Sequence, residues 1–174
     1  MYFKSNISKA TFFLTVALLF SSFKFFDLEY DKKYRSVINK SITKIFNNQT
    51  YKLEELKDIN DPYYIIKDKG KILGYIVVAN APSKFHQFDY YIVFDEKADI
   101  LKIEILKYRE NYGAEICSKK WLKKFINIST NNYTEYNQKI DCISGATISV
   151  NSIKADVFSR TNILKKSIIE IEKD

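Results

Sequence analysis

The chain is poor in the residues that most enzyme sites use. It has one histidine, His86, and two cysteines, Cys117 and Cys142. A zinc site built from cysteine and histidine needs about four ligands, so this inventory argues against one. A Ser-His-Asp triad would have to use His86, and the nucleophile motif Gly-x-Ser-x-Gly is absent. We interpret His86 as a polar residue at the entrance to a strand rather than as a haem ligand.

Glycine and proline are also scarce, with four and two residues respectively. The glycine-rich phosphate-binding motifs of Walker and dinucleotide-binding proteins are therefore missing. Because these two residue types punctuate regular structure, their scarcity predicts that most of the chain is helix or strand. The 174 residues, of which 46% are hydrophobic, suffice for one domain and a terminal extension.

The chain is basic, with a formal net charge of +7. Its lysines are spread along the whole sequence and interleaved with aspartate and glutamate. It has no arginine-rich run, no zinc-finger spacing and no aromatic signature of RNA-binding domains. We therefore expect a solvated, mildly basic surface and no nucleic-acid partner.

The N-terminus has the layout of a membrane segment. Lys4 and Lys9 precede the uncharged residues 10–23, which as a helix would span about 21 Å of a roughly 30 Å hydrocarbon core. Including residues 24–28, with Lys24 reaching to the interface, brings the segment close to spanning. A cleaved signal peptide has the same layout, but no clear small-x-small cleavage site follows. We predict an anchor or signal segment over residues 1–28 and favour the uncleaved anchor over the signal peptide and over a buried core helix.

The positive-inside rule then places residues 29–174 on the extracytoplasmic side of a bacterial cytoplasmic membrane. Within them, apolar residues at helical spacing predict a helix over 31–48, with Asp31 as its cap. Residues 49–61 are polar and predict a loop. Turn signals between alternating segments predict two hairpins, with Leu106 marking a bulge because it interrupts the alternation. The predicted strands are 63–67, 72–79, 89–94 and 100–108.

Two helices are predicted after the second hairpin. An amphipathic helix is expected over 115–126, with its apolar members at Ile116, Trp121, Leu122 and Phe125. A polar segment over 129–139 and a long helix over 148–172 follow. The sum is an α+β fold, with a largely antiparallel sheet built from hairpins, packed with helices and preceded by the N-terminal membrane helix.

Residues 140–149, Ile-Asp-Cys-Ile-Ser-Gly-Ala-Thr-Ile-Ser, lie just before that last helix. By composition they form a short loop that leads into a helix. On this simplest interpretation Gly145 permits a tight turn, and Thr147 or Ser149 caps the helix.

The segment that ends at Thr147 also resembles the flavinylation motif Asp-x-x-Ser-Gly-Ala-Thr of the FMN-binding domain family. That family includes the flavin subunits of the Rnf complex and of the sodium-pumping NADH:quinone reductase. The resemblance implies that FMN is bonded through its phosphate to Thr147, by a phosphoester that a separate magnesium-dependent flavin transferase makes. It further implies that Ser144, Gly145 and Ala146 shape the loop, and that Asp141 assists the transferase reaction or orients the loop.

A second segment, residues 108–116, reads Tyr-Arg-Glu-Asn-Tyr-Gly-Ala-Glu-Ile. It is similar to a block that single-domain members of the family carry after the second hairpin and near the flavin. The resemblance covers roughly residues 60–155, without a long insertion seen in some complex subunits. It implies flavin-proximal positions for Glu110, Gly113, Glu115 and Trp121. Taken alone, Glu115 is an acid favoured in the first turn of a helix, and Trp121 is a core residue.

The two cysteines leave two interpretations open. Outside the cytoplasm Cys117 and Cys142 can pair, and a bridge would join the two family-like segments. We favour two buried thiols instead, and their separation in sequence argues against a redox-active pair.

These observations indicate an electron carrier rather than a stand-alone enzyme. A phosphodiester on Thr147 would sit at the N-terminus of the last helix, where free N–H groups favour an anion. FMN would carry out the redox chemistry, so no protein acid or base is required. We expect electrons to pass from a membrane reductase to an external acceptor, with the transferase, a membrane redox partner and the lipid bilayer as partners. The alternatives are a flavin-sensing or regulatory binding module and a structural subunit of a membrane redox complex.

Overall fold

The computed structural model describes residues 29–48, 50–57, 59, 63–126 and 132–171. The chain divides into two compact units, residues 1–39 and residues 40–174. The predicted membrane segment, residues 1–28, lies outside the described residues, so the anchor and the domain boundary stay predictions. Among the helices that are described, none is both long enough and apolar enough to cross a membrane.

Helix α1 comprises Glu29–Phe46. Its buried apolar side chains Tyr34, Ile38 and Ile42 are four residues apart and so form one stripe, as the periodicity predicted. Val37, an apolar residue next to that stripe, is 41% exposed. The helix begins before Asp31, so the prediction that Asp31 caps it is wrong.

Within the described residues the strands form one five-stranded sheet in which each strand pairs antiparallel with the next along the chain. Both predicted hairpins are confirmed. The first strand falls in the segment predicted as a loop, and its residues are all exposed, so it carries no alternation of apolar and polar side chains. The strands are β1 Lys52–Glu55, β2 Tyr63–Asp68, β3 Lys71–Pro82, β4 Gln87–Phe94 and β5 Ile100–Lys107.

The predicted bulge in β5 is confirmed. Asp89 of β4 pairs with Lys107, but the next residue, Tyr90, pairs with Ile105. Leu106 is therefore the extra residue that has no opposite number on β4. Such a bulge bends the strand, here at the point where β5 leaves the sheet.

Helices pack on both faces of the sheet. The adjacent residues Tyr90 and Tyr91 of β4 point to opposite faces, as successive strand residues do. Tyr90 donates a hydrogen bond to Asp156 of the last helix, whereas the Tyr91 hydroxyl lies 2.6 Å from Oγ of Ser41 in α1. Both tyrosines are fully buried. The α+β fold with an antiparallel sheet is thus confirmed.

The helix predicted over 115–126 is instead broken into three short pieces. The break lies at Ser118, whose backbone is extended and whose hydroxyl accepts the N–H of Trp121 at 3.3 Å. The apolar side chains of the segment are nevertheless buried as expected. The pieces are the 3-10 helix Ala114–Cys117, helix α2 Lys119–Leu122 and the 3-10 helix Lys123–Phe125.

Two further helices complete the described chain. Helix α3, Tyr133–Gln138, lies in the polar segment 129–139, for which no helix was predicted. Helix α4, Thr147–Ile171, is the predicted C-terminal helix and begins one residue earlier than predicted, whereas its predicted last residue, 172, lies outside the described residues. Its buried side chains include Val150, Ile153 and Val157, which pack into the core on one face of the sheet.

Candidate functional site

The motif segment forms a tight turn that leads directly into α4. The N–H of Ala146 donates to the carbonyl of Ile143 at 3.1 Å, and Gly145, the third residue of this turn, has φ 78°. That position of a type II turn requires a positive φ, which favours glycine. The N–H of Val150 then donates to the carbonyl of Ala146 at 2.8 Å, which is the first helical bond. Thr147 is thus the first residue of the helix.

The cap predicted for this helix is therefore wrong. The residue that precedes the helix is Ala146, and neither Thr147 nor Ser149 occupies that place. Ser149 is buried, and its hydroxyl lies 3.0 Å from the Tyr108 hydroxyl. Thr147 itself is exposed. Its hydroxyl group is available for chemistry rather than committed to a cap.

The rest of the turn is open to solvent. Ser144 and Gly145 are exposed, and only Ala146 is buried. A Cβ atom added at Gly145 would meet nothing within 4 Å. A second protein can therefore approach the turn from this side.

Gly113 joins the second family-like segment to the motif. Its backbone has φ 74°, and a Cβ atom there would lie 2.5 Å from Cβ of Ala146 and 3.2 Å from the carbonyl oxygen of Gly145. No side chain fits in that space. The structure thus places in direct contact two segments that lie about thirty residues apart in the chain.

Trp121 and Lys124 hold the beginning of the motif. The indole Nε1 of Trp121 donates to the carbonyl of Asp141 at 3.0 Å, and Lys124 pairs with the carboxylate of Asp141. The hydrogen bond and charge of Lys124 lower the pKa of that carboxyl. Trp121 is also a core residue, 6% exposed, whose ring centroid lies 5.1 Å from that of Phe125. It therefore has both the packing role and a contact with the motif.

Glu110 holds the turn between β3 and β4. One carboxylate oxygen accepts hydrogen bonds from the hydroxyl of Ser83, from the N–H of Phe85 at 2.8 Å and from the N–H of His86 at 3.0 Å. These bonds lower the pKa of Glu110 from 4.5 to about 2, with the Ser83 bond contributing most. His86 is exposed and directly precedes β4, as predicted.

Two hydroxyl contacts that sequence reasoning missed fix the surroundings of the motif. One is the contact between Tyr108 and Ser149, and the other is a hydrogen bond of 2.5 Å from Ser152 of α4 to the carbonyl of Pro82. Tyr108 belongs to the family-like segment, so its place near the motif could have been predicted. The places of the serines could not, because a serine at a helix surface is common and its partner is distant in sequence.

The other residues that were singled out in the sequence are exposed. Glu115 is exposed in the first turn of the 3-10 helix, which agrees with the simple interpretation of an acid at a helix start. Cys117 and Cys142 are both free and exposed, so the favoured expectation of two buried thiols is wrong. In the part of the chain that the structure describes, no group of three His, Cys, Asp or Glu side chains is arranged to hold a metal ion.

Comparison with known proteins gives one family. The family model described as FMN-binding domain matches residues 86–158. A search of curated proteins finds no match for the chain. The matched segment contains Glu110, Gly113, Trp121 and the whole motif turn. The resemblance seen in the sequence is thus confirmed over residues 86–158, where the chain matches the FMN-binding domain family.

Proposed function

We propose that this protein is an extracytoplasmic electron carrier that holds FMN in a phosphoester bond to Thr147. The family match supports FMN as the cofactor. The observation that carries the proposal further is the packing of Gly113 on Ala146, which leaves no room for a side chain at position 113. That packing joins the two segments beside an exposed threonine. A threonine whose only role was to begin a helix would not require this contact between the two segments.

The charge around Thr147 suits a phosphate. Thr147 begins a helix of 25 residues, and the first turn of that helix contains no acidic residue. The free backbone N–H groups and the helix dipole at this end favour an anion. A phosphodiester keeps one negative charge, so these residues fit the phosphate of FMN.

The exposure of the turn suits attachment by a separate enzyme. Oγ1 of Thr147 forms a bond to the flavin-bearing phosphorus atom of an activated flavin nucleotide. The bond from that phosphorus to its leaving phosphate group breaks, and the hydroxyl proton is lost to the solvent or to the leaving group. Compared with the free chain and free FMN, the product lacks one water molecule. The open space beside Gly145 gives a transferase access to the hydroxyl. Asp141, ion-paired with Lys124, would orient the turn for this reaction.

FMN, once bound, supplies the electron transfer, and this chain supplies its placement. Trp121, Gly113 and Tyr108 fix the motif turn from three sides. No residue is assigned as a catalytic acid or base. The protein therefore acts as a carrier between other redox proteins.

The membrane location is part of the proposal. Its support is the sequence of residues 1–28, with lysines before an apolar run. The flavin domain would then lie outside the cytoplasmic membrane, between a membrane reductase and an external acceptor. A covalent bond has a physical reason there, because FMN that dissociates would be lost.

The attachment is tested by expressing the chain together with an active flavin transferase. We expect flavin fluorescence in the denatured protein band and an intact mass increased by FMN minus water. Thr147→Ala should abolish both signals. Thr161→Ala is the matched control, because Thr161 lies on the same helix with its hydroxyl bonded to the carbonyl of Val157 at 2.8 Å. A colourless wild-type protein, produced beside a reference substrate that the transferase does label, would refute the proposal.

The carrier role is tested separately on the flavinylated protein. Its flavin should be reduced by membranes that contain the reductase and reoxidised by the acceptor. A flavin that stays oxidised with every membrane donor would indicate a sensor instead.

A further inference from the structure

Three large apolar side chains are strongly exposed on segments that are linked to the motif turn. Phe85 is 74% exposed, Tyr112 is 79% exposed and Ile148 is 52% exposed. They belong to three different segments: the turn between β3 and β4, the loop after β5, and the first turn of α4. Large apolar side chains that cluster at a surface mark a binding site more often than a random surface does.

The contacts of the site bring these three segments together. Phe85 donates its N–H to Glu110, so the β3–β4 turn is bonded to the loop that carries Tyr112. Gly113, the next residue after Tyr112, packs on Ala146. Ile148 lies two residues beyond Ala146 and directly after Thr147.

Each of the three side chains therefore lies within two residues of an interaction that joins two segments. Since consecutive Cα atoms are 3.8 Å apart, no Cα atom of the three is more than about 8 Å along the chain from such a contact. The bonds from Tyr108 to Ser149 and from Ser152 to Pro82 hold the same segments in register. The exposed side chains are thus carried on a fixed frame around Thr147.

We infer that Phe85, Tyr112 and Ile148 form the surface on which the isoalloxazine ring of FMN lies. This inference rests on the proposed attachment of FMN to Thr147. The occupant follows from the chemistry, because a ring system tethered at Thr147 lies beside Ile148, and the segments in contact with the motif turn carry the other two exposed side chains. Aromatic rings favour offset or edge contacts with one another beyond the gain from buried area. The high exposure of the three side chains is explained if the ring covers them.

The test uses the full flavinylated chain and its variants Tyr112→Leu, Phe85→Leu and Ile148→Ala. An aromatic side chain in contact with a flavin quenches its fluorescence, and a ring held against the protein rotates with it. We expect Tyr112→Leu to raise flavin emission severalfold and to lower its anisotropy. Phe85→Leu and Ile148→Ala should lower the anisotropy and change the midpoint potential, because water reaches the ring.

Ile169→Ala is the matched control for Ile148→Ala. Ile169 is 51% exposed on the same helix and lies about 30 Å further along it. Its replacement should leave emission, anisotropy and potential unchanged. Emission of the denatured proteins, together with intact mass, normalises all variants to equal FMN content.

The outcomes separate the inference from the proposed function. Unchanged emission and anisotropy in all three variants, at equal FMN content, would overturn the inference while the attachment stands. Unchanged flavin signals with slower reduction by the membrane donor would also overturn it, and would assign the surface to the redox partner. A wild-type mass without FMN would instead refute the attachment, and the inference with it.

Discussion

The contact between Gly113 and Ala146 gives the sharpest prediction at the level of single residues. In Gly113→Ala the new Cβ would lie 2.5 Å from Cβ of Ala146, on a backbone with φ 74°. Strain and overlap together should lower the free energy of unfolding by about 2–4 kcal/mol. Urea unfolding of the protein without flavin measures this loss. The displaced turn should also be flavinylated more slowly.

Two other glycines supply the controls for that variant. Gly70 and Gly145 have φ 84° and 78°, and a Cβ at either would meet nothing within 4 Å. Gly70→Ala and Gly145→Ala therefore introduce the backbone strain alone, about 1–2 kcal/mol. If Gly113→Ala costs no more than these variants, the contact with Ala146 does not constrain the site as argued.

Glu110 should make part of the stability depend on pH. Its folded pKa, about 2, lies below its ordinary value of 4.5. A depressed pKa of this kind stabilises the fold above pH 4.5, and the contribution is lost as the pH falls towards 2. Glu110→Gln should therefore have a lower thermal midpoint than wild type at neutral pH, with a difference that shrinks below pH 4.5.

Glu115→Gln is the control for that experiment, since it removes the same charge at an exposed position nearby. Its midpoint should follow the wild type through the acid range. A Glu110→Gln difference that is independent of pH would mean that the lost charge is not what destabilises the variant.

The residues of the site could be predicted from the sequence only where a motif exists. The turn through Gly145 to Thr147 and the positions of Gly113 and Trp121 were marked by family-like segments. The partners of Glu110 were not, because two of its three donors are backbone N–H groups, which any residue supplies. The exposure of Cys117 and Cys142 was missed for a related reason, since burial depends on tertiary packing that residue type only weakly reports.

At the level of elements, the helices and strands with a repeating pattern of apolar residues were predicted from the sequence, and the shortest ones were missed. Alternation and turn signals identified both hairpins, and one interruption identified the bulge at Leu106. Strand β1 was missed because its four residues are all exposed. Helix α3 has six residues and one buried side chain, Tyr136, so it shows no periodicity. Its start at Asn132, whose side chain accepts two backbone N–H groups, was the signal available.

The broken helix between Ala114 and Phe125 has a consequence for the motif. Because the chain restarts at Ser118, Trp121 is turned so that its indole reaches the carbonyl of Asp141 at 3.0 Å. Trp121→Phe keeps an aromatic ring against Phe125 but removes that hydrogen bond. We expect a loss of about 1–2 kcal/mol in unfolding free energy.

Hydrogen exchange distinguishes the local effect of this variant from general loss of stability. Amides of residues 139–146 should exchange faster in Trp121→Phe, while those of the interior strand β4 should change only as much as the global stability does. Uniformly faster exchange would show that Trp121 acts only through the core.

At the scale of the molecule, the site lies where three strand ends meet. In an antiparallel meander the last residues of β3, the first residues of β4 and the last residues of β5 lie at the same end of the sheet. Pro82, Asp89 and Lys107 lie at that end of the sheet. Ser152, near the start of α4, donates a hydrogen bond to the carbonyl of Pro82. The simple order of the sheet thus assembles a site from segments that span much of the chain.

The position of this domain relative to the membrane can be tested with the exposed thiols of Cys117 and Cys142. In spheroplasts of an expressing bacterium, a membrane-impermeant maleimide should label the full chain without lysis, because the flavin domain is proposed to lie outside. An impermeant reductant is added in a parallel sample, so that oxidation of the two thiols to a disulfide shows as labelling that appears only after reduction. The double variant Cys117→Ser, Cys142→Ser should remain unlabelled throughout. Labelling that requires lysis would place the domain in the cytoplasm, and the argument for a covalent flavin from its loss outside the cell would then fail.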